Sequence, residues 1–192
     1  MGLNSKAWLE IFAEQKNFDI SRRKIISESL NAQHIAKQGI FALQRDDKKE
    51  GEMQIAEATK MLVSLGKRFG KDFHLRMEAT WKAAVEEYIE ARLFADFYNG
   101  RKISNIEEFH VEPDEYIGAL SDLTGEIVRM IILWTTRKKY DKVKKASDLI
   151  SEIIHELMKH NFSGYLRTKF DQAKRNLQKS ESILYDLAIR EK

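Results

Sequence analysis

Apolar residues recur along this chain three and four positions apart, in long runs separated by a few polar or glycine-bearing gaps. That interval is the spacing of amphipathic helices. It predicts a first helix from Ser5 to about Arg45, with a break near Asn17-Phe18-Asp19, and then a polar loop from Asp46 to Gly51. A second helix is expected over about Glu52–Leu65, ending in Gly66 and Gly70. A long third should span roughly Lys71–Tyr98, closed by Asn99-Gly100, residues that tolerate the left-handed conformation helices end on. Ser104–Phe109 reads as one short helical turn. Pro113 then opens a helix as its first residue, running to about Thr136. Helices over about Lys142–Lys159 and Tyr165–Arg190 complete the chain; the last repeats Leu166, Phe170, Ala173, Leu177, Ile183, Leu184 and Leu187. No alternating strand pattern or internal repeat competes. The expected fold is all-α, six or seven helices in one bundle-like domain over residues 1–192.

Composition narrows the function. At 192 residues with 43% hydrophobic and 33% charged positions, one globular domain burying about 70% of its unfolded surface is expected. One proline and nine glycines suit long helices. The absence of cysteine excludes disulfides, thiolate catalysis and cysteine-based zinc or iron–sulfur sites, and it fits a reducing compartment, so a cytoplasmic protein is expected. No apolar run approaches a membrane span, so no membrane partner is expected. The N-terminus has no signal-peptide pattern. The Met1-Gly2 start carries Lys6 where myristoylation needs Ser or Thr.

The net charge of +3 says little, but its distribution is uneven. Between Arg137 and Lys145 stand six basic residues and one acid, Asp141. Smaller clusters occur at Arg22-Arg23-Lys24, Lys48-Lys49, and Lys67-Arg68 with Lys71. Taken singly these are solvated helix ends; they become an anion-binding surface where folding or assembly gathers them.

Acids stand out more. Glu87 and Glu90 are three apart, Asp122 and Glu126 four apart. Either spacing puts both acids on one side of a helix, where like charges cost about 0.2–0.5 kcal/mol per pair. At 100° per residue the first pair aligns with Ala83, Phe94 and Phe97, the second with Ala119, Met130 and Leu133. Acids on an apolar stripe point toward other protein, where an unpaired charge is expensive. A hard cation relieves both repulsion and desolvation, so these four read as a metal site built from two helices. With 30 acids in the chain, such pairs also arise by chance and line solvated faces. Gly118, Ser121 and Gly125 share a side of the same helix and read as a surface for close helix packing.

Other constellations compete less well. His155-Glu156-Leu157-Met158-Lys159-His160 has one residue too many for a metalloprotease helix, and its rings would point about 140° apart. A di-iron carboxylate bundle would use Glu152-Ile153-Ile154-His155 and Glu107-Glu108-Phe109-His110, but the latter falls in the short segment before Pro113. No Walker loop, dinucleotide fingerprint, nucleophile elbow or kinase signature occurs. Met53, Met61 and Met77 read as core filling.

The segment Tyr116-Ile117-Gly118-Ala119-Leu120-Ser121-Asp122-Leu123-Thr124-Gly125-Glu126, followed by Arg129-Met130, resembles the translin family, and within it the branch of translin-associated factor X. Ile40 to Arg45 is similar to the end of the family's first long helix, Glu87 to Ala91 to the factor X acidic helix, and Leu184 to Arg190 to the closing segment. The resemblance covers essentially the whole chain. It implies a seven-helix fold that assembles into a closed, roughly octameric shell, as a homo-oligomer or with a separate translin-like partner chain. It also implies a Mg²⁺-dependent endoribonuclease, with Mn²⁺ as substitute, acting on RNA, while single-stranded DNA is a further ligand of the family. Glu87, Glu90, Asp122 and Glu126 match the factor X catalytic and metal-binding carboxylates. Translin's basic strip is matched in part by His74, Arg76 and Trp81, with Glu78 and Ala79 between. With the basic clusters, this makes Arg68, Lys71, His74, Arg76, Arg137 and Lys138 the expected nucleic-acid contacts. All-oxygen ligation selects Mg²⁺ or Mn²⁺ over zinc. A metal-activated water attacking phosphorus in line needs neither the 2′-hydroxyl nor a histidine. Any one of the four acids, Glu126 among them, is free to orient that water. The alternatives are a non-catalytic RNA- or DNA-binding assembly with vestigial acids, and the di-iron oxidoreductase.

Overall fold

Helices form where the apolar repeat places them, and each departure has a local cause. The computed structural model describes residues 4–190, so the Met1-Gly2 start lies outside the described residues. The helices are α1 (Ser5–Gln44), α2 (Lys48–Phe69), α3 (Phe73–Arg76), α4 (Ala79–Tyr98), α5 (Pro113–Thr136), α6 (Tyr140–Leu157) and α7 (Gly164–Arg190), with no strand among the described residues. The expected break in α1 is absent. Phe18 packs against the core, and Gln15 donates to Asp19 across one turn at 2.9 Å. The expected loop through Gly51 is shorter, because the Asp47 carboxylate accepts the Glu50 N–H at 3.1 Å and starts α2 at Lys48. Gly66 does not stop that helix.

The expected Lys71–Tyr98 helix is two helices. Asp72 accepts the N–H groups of His74 and Leu75, starting α3, and buried Leu75 anchors it. Glu78 is then extended (φ −60°, ψ 129°), held by Arg22 at 2.5 Å, before α4 begins. Ser104–Phe109 forms no helical turn. Residues 101–112 return along α4, with Ile106 buried and the Phe109 ring 6.5 Å from Trp81 and 5.5 Å from Tyr88. Pro113 opens α5 as expected, while Glu115 accepts the Glu112 N–H at 2.8 Å.

α1 and α2 form an antiparallel hairpin, Arg68 reaching back to Glu28 at 3.2 Å. Its closeness depends on glycine: a Cβ on Gly51 would stand 2.6 Å from Leu43 Cγ and 3.1 Å from the Gly39 carbonyl. Gly51→Val should therefore destabilise the protein by about 1–3 kcal/mol through overpacking. Gly66→Ala, whose Cβ would meet only Trp81 at 3.8 Å, should stabilise it by about 0.5–1 kcal/mol. Urea denaturation of both variants checks the contrast; equal midpoints would remove it.

The 101–112 return lets α4 and α5 run in the same direction: Glu86 lies beside Gly118, and Phe97 packs 5.7 Å from Trp134. α1 runs with α4, through Arg22–Glu78, Lys37–Glu87 and Asp46–Tyr98. α7 runs with α5, through Lys169–Asp122 and Asn176–Thr124. α6 is the antiparallel return, its Ser147 meeting Ser180 of α7 at 3.1 Å. Leu43, Leu62, Tyr88, Leu93, Phe94, Leu123, Ile127 and Met130 fill the core between them. No helix among the described residues is long and apolar enough to cross a membrane.

Candidate metal centre

Four co-directional helices bring the middle turns of α4 and α5, the last turns of α1 and the second turn of α7 to one level, and the acids meet there. Glu87 and Glu90 project from α4, Asp122 and Glu126 from α5; α1 contributes Lys37 and Gln44, and α7 contributes Lys169. Ala83, expected on the buried stripe, is exposed, whereas Phe94, Ala119 and Met130 are buried.

Each acid has a different environment. Glu90 is 8% exposed and takes no hydrogen bond or ion pair among the described residues. Burial pushes its carboxyl well above the usual value, and the charges of Glu87, Asp122 and Glu126 push further. Burial also raises Glu87, although Lys37 at 3.1 Å opposes the shift. Asp122 is raised by burial first and by nearby Glu86, against the pull of Lys169, which donates to it. Burial works against the charge on Lys169, yet hydrogen bonds to Asp122 and Glu86 outweigh it and raise its pKa. Glu126 accepts from the Gln44 amide, and Arg129 lies 3.6 Å away.

Sequence reasoning missed Glu86, Tyr165 and Lys169. Lys169 donates to Glu86 at 2.6 Å, and the Tyr165 hydroxyl donates to both Glu86 oxygens at 2.5 and 2.6 Å. The signal was Gly118. A Cβ there would meet Glu86 Oε2 at 2.4 Å and Tyr165 at 3.4 Å, so this glycine makes room for a carboxylate rather than for a helix backbone. Gly125 likewise faces Asn176, at 3.4 Å.

The donor set fits a hard divalent cation. It is all oxygen, and five acids (Glu86, Glu87, Glu90, Asp122, Glu126) stand against three cations (Lys37, Lys169, Arg129), with Glu90 paired to none of them. As the side chains stand, protein donors engage one oxygen each of Glu87, Asp122 and Glu126, and no three histidine or acidic side chains among the described residues converge on one metal-binding point. Holding an ion therefore requires the carboxylates to turn toward a common point.

Glu90 gives a pH-dependent stability. A carboxyl raised in the folded state binds its proton more tightly there than in the unfolded chain. Its contribution is full below the ordinary glutamate value and is lost as pH rises through the raised value. In EDTA, Glu90→Gln should exceed the parent in stability at pH 8, and the gap should close toward pH 4. Urea titrations at both pH values measure it; no gap at pH 8 would contradict the environment described.

The histidine constellations do not assemble. Glu152 and His155 are exposed on α6, and Glu107 and His110 are exposed in the non-helical return. The expected nucleic-acid contacts form two separate groups. Arg68, Lys71, His74 and Arg76 surround the start of α4, whereas Arg137 and Lys138 lie at the α5–α6 turn near its end. α4 alone separates them by about 30 Å. Arg68 pairs with Glu28, Arg76 with Glu112 at 3.2 Å, and Arg137 with Asp46 at 2.5 Å. His74 packs edge-on to Phe18, while Lys71 and Lys138 are exposed.

The model for the Translin family matches residues 20–191. Translin from Gallus gallus is 24% identical over 144 residues, covering 67% of this chain and 63% of that protein. Translin from Homo sapiens is 25% identical with the same coverage. The alignment thus spans somewhat less than two thirds of these relatives. Among solved structures, the fold is similar to that of apo-NeC3PO, with a TM-score of 0.85 at 20% identity, covering 96% of this chain and 97% of that one. AfC3PO in complex with duplex RNA gives the same TM-score and coverage at 16% identity.

Proposed function

The chain belongs to the translin family, and on that premise we propose that it is a catalytic, factor X-like member: a metal-dependent endoribonuclease. Its substrate is short single-stranded RNA, or strands of short duplexes, cut inside a cytoplasmic oligomeric shell. The observation that carries this reading is the meeting of Glu87, Glu90, Asp122 and Glu126 at one level, with Glu90 buried and paired to no cation. The fold's likeness to AfC3PO, a structure holding duplex RNA, supports RNA as the ligand class.

Glu87, Glu90 and Asp122 would hold Mg²⁺, or Mn²⁺ in its place. The ion, when bound, offsets phosphate charge and lowers the pKa of a coordinated water. The chain's own residues do the rest. Glu126, 25% exposed along its side chain and steadied by the Gln44 amide, would orient the attacking water and take its proton. No histidine reaches the centre, and no contact with the 2′-hydroxyl is needed, so single-stranded DNA is a candidate ligand as well.

The basic groups at opposite ends of one chain are too far apart for a single short strand to use efficiently. Assembly, with copies of this chain or with a translin-like partner, sets several such groups around one cavity. Sedimentation should show a species several times 22.4 kDa; a monomer at working concentration contradicts the shell. The second reading, a non-catalytic RNA-binding assembly, is favoured by the protein donors already engaging Glu87, Asp122 and Glu126. Labelled RNA incubated with the purified protein in Mg²⁺ and then in EDTA separates the two. Cleavage in Mg²⁺ alone supports the nuclease; binding without cleavage in either selects the second reading.

A further inference from the structure

Resting on the metal-centre reading, we propose that Lys169 is the resident cation of the acidic centre, a positioning residue that competes with the divalent ion for Asp122 and so sets how tightly that ion is held. Lys169 donates to both Glu86 and Asp122, and its ammonium lies 5.2 Å from the centre of the Tyr165 ring. Glu86 is itself fixed by two hydrogen bonds from the Tyr165 hydroxyl and lies in the space that Gly118 leaves.

The anchoring is lopsided. Lys169 can release Asp122 and keep Glu86 and Tyr165 as partners, whereas Asp122 has no other ion pair among the described residues. The side chain of Lys169 is 18% exposed, so it cannot retire into water when an ion arrives. Lys37, which pairs with Glu87, is 49% exposed and can. Lys169 therefore stays beside the ion whatever Asp122 does, and its charge opposes the ion's charge across a poorly screened gap.

Manganese titration of the full-length protein, read from the free Mn²⁺ paramagnetic signal, tests this without any RNA. Lys169→Met should bind Mn²⁺ about tenfold more tightly, because one opposing charge is gone and Asp122 is free. Glu86→Gln should bind it severalfold more weakly, because Lys169 then leans on Asp122 alone and one attracting charge is lost. A merely structural role for the pair would shift both variants the same way. Unchanged or weaker Mn²⁺ binding by Lys169→Met overturns the inference, as does unchanged binding by Glu86→Gln. Lys169→Gln serves the same purpose where the Met variant does not fold. Asp122→Asn separates the two levels. If it loses Mn²⁺ while Lys169→Met matches the parent, the metal centre stands and the inference falls. If no variant and no parent binds Mn²⁺, both fall.

Discussion

Asp122→Asn and Glu126→Gln should each lower Mg²⁺-dependent RNA cleavage about 10²–10³-fold, the loss expected when one preorganised charge is removed from a reacting centre. RNA affinity should stay within a few fold, because the role proposed for these acids is to hold the ion and the water rather than the strand. The two variants probe different neighbours. Asp122→Asn also deprives Lys169 of a partner, which adds positive charge to the centre and cannot weaken attraction for a phosphate. Glu126→Gln leaves Lys169 and Glu86 untouched and alters only the acid held by Gln44. Single-turnover cleavage with saturating protein measures the chemical step, and filter binding in EDTA measures affinity. Parental cleavage rates in both variants would show that the centre is misassigned.

The second large effect is on binding. Each phosphate neutralised on a single strand contributes about −0.7 to the slope of log affinity against log salt. Six such contacts would cost about 10²–10³ in affinity between 50 and 200 mM salt. The exposed lysines of one chain fall in two groups, Lys67 and Lys71 near the start of α4 and Lys138, Lys139, Lys142, Lys144 and Lys145 at the α5–α6 turn near its end, while Arg68, Arg76 and Arg137 are engaged by Glu28, Glu112 and Asp46. Assembly multiplies these groups around one strand, so dilution that dissociates the assembly should weaken binding far beyond mass action on a single site. A monomer that binds RNA tightly with a nearly flat salt dependence would falsify both the assembly and the electrostatic account.

What the sequence showed depended on how local its causes were. α5, α6 and α7 were legible because their starts and stops are written in neighbours such as Pro113 and Gly164. The break at Glu78 was not, since it depends on buried Leu75 and on Arg22 from α1, 56 residues earlier. The helical turn expected over Ser104–Phe109 does not form because Ile106 and Phe109 are anchored by the core rather than by their neighbours. The acidic centre followed from helical spacing, yet spacing could not say that Glu90 is buried without a partner while Glu87 meets Lys37. No neighbour of Lys169 in the sequence marks it out from the other lysines of α7. Only the docking of α7 against α5 gives it a role.

The co-directional packing of α4, α5 and α7 also dictates an order of events in folding. The hydrogen bonds that close the centre join residues 47, 82 and 83 positions apart, whereas the α1–α2 hairpin closes over a three-residue turn. Short loops close first and distant pairings last. The acids are therefore forced together only after the apolar core has done most of its work, so their repulsion falls on a nearly finished protein and does little to slow its formation. Once folded, the same order runs backward. Lifting α7 alone opens the centre and separates Lys169 from Asp122, while the hairpin and the α1–α4 contacts remain. The Lys169 side of the acidic centre can thus open locally without unfolding the α1–α2 hairpin.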